Sequence, residues 1–184
     1  MSTNDDAFTT LQAGERAEHR VALLADTQNL YYAARDEHGA HVDYERLLAV
    51  SLRGRTLAQA SAYVVEREGD RTAFPFITKL SALGYRVHRR TVRVHRSDDE
   101  GRLVLEGDWD LQIAADMVRT LEHVDVIVLA SGDGDFVPMV KLAQERGVRV
   151  EVAAFRAATS QALADAADRV VDLSAIPGMF VQNG

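Results

Sequence analysis

The chain has 184 residues, 47% apolar and 27% charged, the composition of a globular protein with room for one core and not for two full domains. It contains no cysteine, which excludes disulfides, thiolate metal sites and cysteine nucleophiles and leaves only oxygen and imidazole donors for a metal. The formal charge is −7, and Lys79 and Lys141 are the only lysines among 21 basic residues; as a bulk property this acidity argues against general coating of nucleic acid.

Residues 1–18 hold Asp5, Asp6, Glu15 and Glu18 against Arg16 alone and show no sustained period, which predicts a mobile acidic tail. The start lacks the basic end and apolar stretch of a signal peptide, and no apolar run reaches the roughly 18 residues that cross a bilayer. The expectation is a cytoplasmic protein with no membrane partner, a domain over 19–176 and a short C-terminal tail over 177–184.

From position 20 short apolar runs alternate with amphipathic stretches, the pattern of an α/β fold with a parallel sheet. Val21 to Ala25 reads as a strand, Asn29 to Glu37 as a helix ended near Gly39, and Tyr44 to Ser51 as a helix with Asp43 at its N-cap. Ala58 to Val65 is a second strand and Phe76 to Leu83 a helix stopped by Gly84. Tyr85 to His95 alternates as a strand or extended hairpin, and Ser97 to Gly101 is a turn. The apolar face of Leu111 to Leu121 predicts a helix. Then come strand Asp125 to Leu129, helix Phe136 to Arg146, strand Val148 to Ala153, helix Ser160 to Ala167 and strand Val170 to Leu173.

Three segments carry carboxylates at strand ends or helix starts, the edge where open α/β sheets bind ligands. The first is Asp26-Thr27-Gln28-Asn29, in which Asp26 or Asn29 could equally be a helix cap. The second is Ser131-Gly132-Asp133-Gly134-Asp135-Phe136, where two glycines let the backbone turn tightly and two carboxylates stand two residues apart. Adjacent carboxylates repel, so a purely structural turn gains nothing from the second.

The third is Glu106-Gly107-Asp108-Trp109-Asp110, with Asp116 six residues further on. Asp108 is a ligand or a helix cap. Asp110 and Asp116 are about 240° apart at 100° per residue, so Asp110 is taken as the ligand and Asp116 as a flanking group or an ordinary polar-face residue. Carboxylates converging without Cys or His suit hard ions, Mg²⁺ or Mn²⁺, and phosphodiester hydrolysis is chemistry such ions support. Six of the 28 acids are the aspartates of these segments (Asp26, Asp108, Asp110, Asp116, Asp133 and Asp135), so part of the bulk acidity belongs to an ion site.

Tyr85 to His95 and the following Arg96 form a run with Arg86, Arg89, Arg90, Arg93 and Arg96 and no acid. It suits a phosphate backbone, and equally a charged edge strand that resists aggregation. No histidine pair has a metal-binding spacing, and there is neither a P-loop nor a G-x-S-x-G elbow, so ATP chemistry and serine hydrolysis have no support.

VALLADTQNLYY, EGDWDLQIAADM and VIVLASGDGDFVPMVKLAQERGVRVEV, in that order, resemble the NYN domain, and within it the LabA-like branch of the PIN-like nuclease superfamily. The resemblance spans roughly residues 20–173. It implies a three-layer α/β/α PIN-like (Rossmann-like) fold with a central, mainly parallel sheet, and metal-dependent ribonuclease chemistry. It matches Asp26, Asn29, Asp110, Asp116, Ser131, Asp133 and Asp135 to the family's motif positions. Thr27 departs from a frequent Gly, and Glu106 from a frequent Lys.

The expected function is therefore a Mg²⁺- or Mn²⁺-dependent endoribonuclease acting on RNA, expected to be single-stranded. Asp26, Asp110, Asp133 and Asp135 would hold one or two ions, with Asp108 and Asp116 as further candidate ligands; Asn29 and Ser131 would orient substrate or carboxylates, and the arginine run would hold the RNA backbone. A non-catalytic RNA- or protein-binding regulator of the same fold is the alternative, a small-molecule metal phosphatase a third reading. An exposed strand also suits a homodimer.

Overall fold

A run apolar on both faces, such as Val21 to Ala25, is stable only in the middle of a covered sheet. That is its position in the computed structural model, which describes residues 16–69, 71–92 and 109–181. Strand β1 (Arg20–Asp26) pairs in parallel with β3 (Thr56–Arg67) on one side and β5 (Val126–Ala130) on the other. Outward from these lie β4 (Arg86–Val92), β6 (Arg149–Ala154) and β7 (Arg169–Asp172), giving a six-stranded sheet in the order β4-β3-β1-β5-β6-β7. All its pairings are parallel.

The period of two along each strand sends alternate side chains into two cores. Val21, Leu23 and Ala25 face α1 (Thr27–His38), α2 (Tyr44–Leu52) and α3 (Phe74–Ala82). Ala22 and Leu24 face α4 (Asp110–Thr120), α5 (Val137–Glu145) and α6 (Gln161–Ala166). This is the expected three-layer α/β/α arrangement. Among the described residues no helix is long and apolar enough to cross a membrane.

The chain winds from β1 outward to β3 and β4, then returns to the other side of β1 and winds outward through β5, β6 and β7. The direction reverses between β1 and β5, and a crevice opens at the carboxyl ends of strands at such a switch point. Asp26 ends β1 and Ser131 follows β5, so both motifs converge there.

Local chemistry sets the helix starts. The Asp26 carboxylate accepts from the Asn29 N–H, so α1 begins at Thr27, earlier than the apolar pattern predicts. Asp43 caps α2, as expected, by accepting from the N–H groups of Glu45 and Arg46. The described part of the arginine run, Arg86–Val92, is a parallel edge strand. Residues 93–108, which include the expected turn at Ser97 to Gly101, lie outside the described residues, as does most of the N-terminal tail.

The C-terminal boundary needs correction. Residues Phe180–Val181 form β8, which pairs antiparallel with β2 (His41–Val42), and Met179 is fully buried. The domain therefore extends beyond 176 to at least Val181. Two-residue strands carry no period, so nothing in the sequence pattern announces them.

At the amino edge of the sheet, away from the switch point, Glu151 is buried and accepts from both Arg53 and Arg55. Each guanidinium reaches both carboxylate oxygens, at 2.9–3.1 Å. This cluster ties the α2–β3 turn to β6, and Arg53 adopts a left-handed backbone (φ 47°) to take part.

Candidate metal centre

Three carboxylates meet at the switch point. Trp109 is buried against Tyr63 of β3, ring centroids 5.6 Å apart, which fixes the start of α4 and presents Asp110 at the carboxyl edge. Across the crevice, Asp133 accepts from the Asp135 N–H at 2.9 Å and so caps a 3₁₀ turn over Gly134–Phe136. One oxygen from each of Asp110, Asp133 and Asp135 lies within 4.8 Å of the others.

Asp26 adjoins this group without being one of the three. It is buried, one oxygen accepting from the Asn29 N–H at 3.1 Å and the other from the Ser131 hydroxyl at 3.3 Å. Burial pushes its carboxyl above the usual range; the two hydrogen bonds oppose that, and the nearby Asp133 charge adds to it. Asn29 and Ser131 grip the loop directly. The Asn29 side-chain oxygen accepts from the Gly132 N–H at 2.9 Å, and the Ser131 hydroxyl oxygen from the Asp133 N–H at 3.3 Å.

The glycines of this loop serve a purpose other than the expected tight turn. Neither Gly132 nor Gly134 has a positive φ. A Cβ on Gly132 would lie 2.4 Å from the Ala158 carbonyl oxygen, and one on Gly134 would lie 2.7 Å from the Ser160 hydroxyl. The segment after β6 presses onto the loop, held by a 2.8 Å hydrogen bond from the Ser160 N–H to the Gly132 carbonyl. Thr27 has a comparable local reason: its hydroxyl donates to the Tyr63 carbonyl at 2.6 Å and ties the β1–α1 junction to β3.

Asp116 is drawn elsewhere. It accepts from the Tyr63 hydroxyl, the Gln112 amide and Arg119, at 2.6–3.1 Å. Burial pushes its carboxyl up, but the hydrogen bonds from Gln112, Arg119 and Tyr63 prevail and hold it below the usual range. His88 stacks on Tyr63 at 4.7 Å, and burial pulls its imidazole below its usual value despite the nearby Asp116.

The arginine run divides. Arg86 and Arg90 share one face of β4 with His88, while Arg89 points to the other face, where it forms a bidentate pair with Glu66. Arg90 lies over the Trp109 ring, 4.4 Å from its centroid, beside the head of α4. Asp108, Arg93, Arg96 and Glu106 lie outside the described residues. Sequence reasoning missed Ser160 and its neighbours, whose contact with the loop has no local signal.

A carboxylate cluster at the switch point of a doubly wound parallel sheet, built around an SGDGDF loop, marks a nuclease-like fold, and the chain belongs to the NYN domain family, whose profile matches residues 20–174. Within that family it is LabA-like. It is 29% identical over 159 residues to the low amplitude and bright protein LabA of Synechococcus elongatus, 85% of each chain being covered. A crystal structure of a protein of unknown function from Vibrio parahaemolyticus superposes with a TM-score of 0.77 at 29% identity, covering 93% of this chain and 100% of that one.

Proposed function

We propose that this protein is a divalent-metal-dependent ribonuclease that cuts RNA chains internally. The observation that carries the reading is the approach of three carboxylate oxygens, from Asp110, Asp133 and Asp135, within 4.8 Å at the sheet's switch point. Three anions so close repel one another unless a cation shares them, and an all-oxygen donor set suits Mg²⁺ or Mn²⁺. These three residues would hold the ion, with the Asp26 carboxyl beside them adding negative charge. Bound there, a divalent ion supplies Lewis-acid stabilisation of a phosphodiester's developing charge and lowers the pKa of water.

The chain's own residues supply position. Asn29 and Ser131 fix the loop that bears Asp133 and Asp135, and the segment around Ser160 closes it from behind, so the carboxylates are held before substrate arrives. Arg90, placed over Trp109 beside the head of α4, would contact the RNA backbone, and Arg86 on the same face of β4 would extend that contact. Arg89 is engaged by Glu66 and contributes less.

A circular single-stranded RNA tests the reading, because only an internal cut linearises it. The wild type with Mn²⁺ is expected to linearise the circle, while Asp133→Asn and the wild type in EDTA leave it intact. Equal cleavage by wild type and variant, or none by the wild type, would overturn it.

A further inference from the structure

At the carboxyl end of β3, among α1 and α3, lies a cavity of about 710 Å³, within the usual size of a ligand site. Its lining includes Thr27 and Gln28, the two residues that follow Asp26. Tyr31 and Tyr32 of α1 line it while remaining 41% and 36% exposed. His41 stacks on Tyr31 with ring centroids 5.5 Å apart and planes 20° apart. Arg35 lies over both tyrosine rings, at 5.6 and 4.9 Å, and holds them in place.

The charge of the lining is opposite to that of the cluster. Arg67 and Lys79 line the cavity and pair with no acid among the described residues, and the one acid of the lining, Glu66, is neutralised by Arg89. Aromatic faces beside these cations complement the two chemical features of a nucleotide, a flat base and an anionic phosphate. A purely apolar ligand would leave both cations without use. In a duplex the base faces are already stacked, so only unpaired nucleotides can offer them.

We propose that this cavity receives a base of single-stranded RNA, stacked on Tyr31 or Tyr32, with Lys79 and Arg67 at the neighbouring phosphates. It holds the chain on the α1 side of the phosphodiester that reaches the carboxylates. The assignment rests on the ribonuclease reading for the identity of the polymer, and it makes strandedness a property of the cavity.

The test is binding without turnover. A short fluorescein-labelled single-stranded RNA is titrated with the wild-type protein in EDTA and followed by anisotropy, with the matching RNA duplex as comparison. Tyr31→Ala and Tyr32→Ala together are expected to weaken single-strand binding by about five- to a hundredfold, the range for loss of a base–aromatic stack. Tyr31→Phe, which keeps the ring, is expected to bind within about twofold of the wild type by the same argument. Circular dichroism and melting of each variant establish that it is folded.

Unchanged single-strand binding by the folded double alanine variant, an equal loss on duplex, or no binding by the wild type would overturn the assignment. The two readings fail separately. Tyrosine-dependent single-strand binding without Mn²⁺-dependent cleavage would sink the ribonuclease and keep the cavity; cleavage with tyrosine-independent binding would do the reverse.

Discussion

Gly132→Ala tests whether the carboxylate loop is clamped by the segment after β6. The backbone at Gly132 is not left-handed, so a side chain there is excluded by space alone. The added methyl would meet the Ala158 carbonyl oxygen at 2.4 Å and the Thr159 Cα at 3.0 Å, both main-chain atoms of a segment already bonded to Gly132 through the Ser160 N–H. Relief requires backbone movement, and overpacking of this kind costs about 1–3 kcal/mol. At about 2–4 °C per kcal/mol for a chain of this length, the melting temperature should fall by about 2–12 °C. Gly134→Ala is the comparison, because its methyl would meet the Ser160 hydroxyl at 2.7 Å and its Cβ at 3.1 Å, atoms that belong to a side chain. We expect it to cost under about 1 kcal/mol and to be relieved by Ser160→Gly, whereas Gly132→Ala should not be relieved. Urea unfolding of the three single and two double variants in EDTA measures both couplings. A Gly132→Ala protein as stable as the wild type, or one rescued by Ser160→Gly, would refute the reasoning.

Two further outcomes follow from buried charge. Glu151→Ala leaves the guanidiniums of Arg53 and Arg55 buried without their shared carboxylate. It should therefore destabilise by about 3–5 kcal/mol, and a loss under about 1 kcal/mol in urea unfolding would contradict that. Asp116 titrates below its ordinary range in the folded protein, so its stabilisation is fully present above the unfolded value of about 3.8 and is lost as pH falls through the lower folded value. Between about pH 5 and pH 2 the wild type should lose more stability than Asp116→Asn, as measured by urea midpoints, and parallel pH profiles would contradict this.

The parts of the fold that were legible are those where one residue pattern has one physical outcome. A five-residue apolar run at the head of an alternating pattern reads as a central strand, and Asp43 before an amphipathic stretch as its cap, and both are what the fold contains. The ligand edge was legible too, since carboxylates at strand ends and helix starts fall on one side of a parallel sheet. What escaped depends on contacts distant in the chain. The loop glycines answer to Ala158 and Ser160 rather than to their own dihedrals, and Thr27 to the Tyr63 carbonyl. The arginine run reads as one strip in sequence, but strand alternation and Glu66 divide it. Asp26 and Asp110 both read as candidate ligands in sequence, and burial with two hydrogen bonds distinguishes Asp26. The Tyr31-Tyr32 pair, two and three residues after Asn29, was the available signal for the cavity; its significance emerges only once α3 and β3 supply the opposite wall.

The proposed chemistry depends on Asp110, Asp133 and Asp135 forming a divalent-ion site. Anomalous diffraction at the manganese edge from crystals soaked in Mn²⁺ tests it most directly. A peak is expected among these three carboxylates in the wild type, and its loss in Asp133→Asn. No peak there, or an ion held elsewhere with this cluster empty, would contradict it.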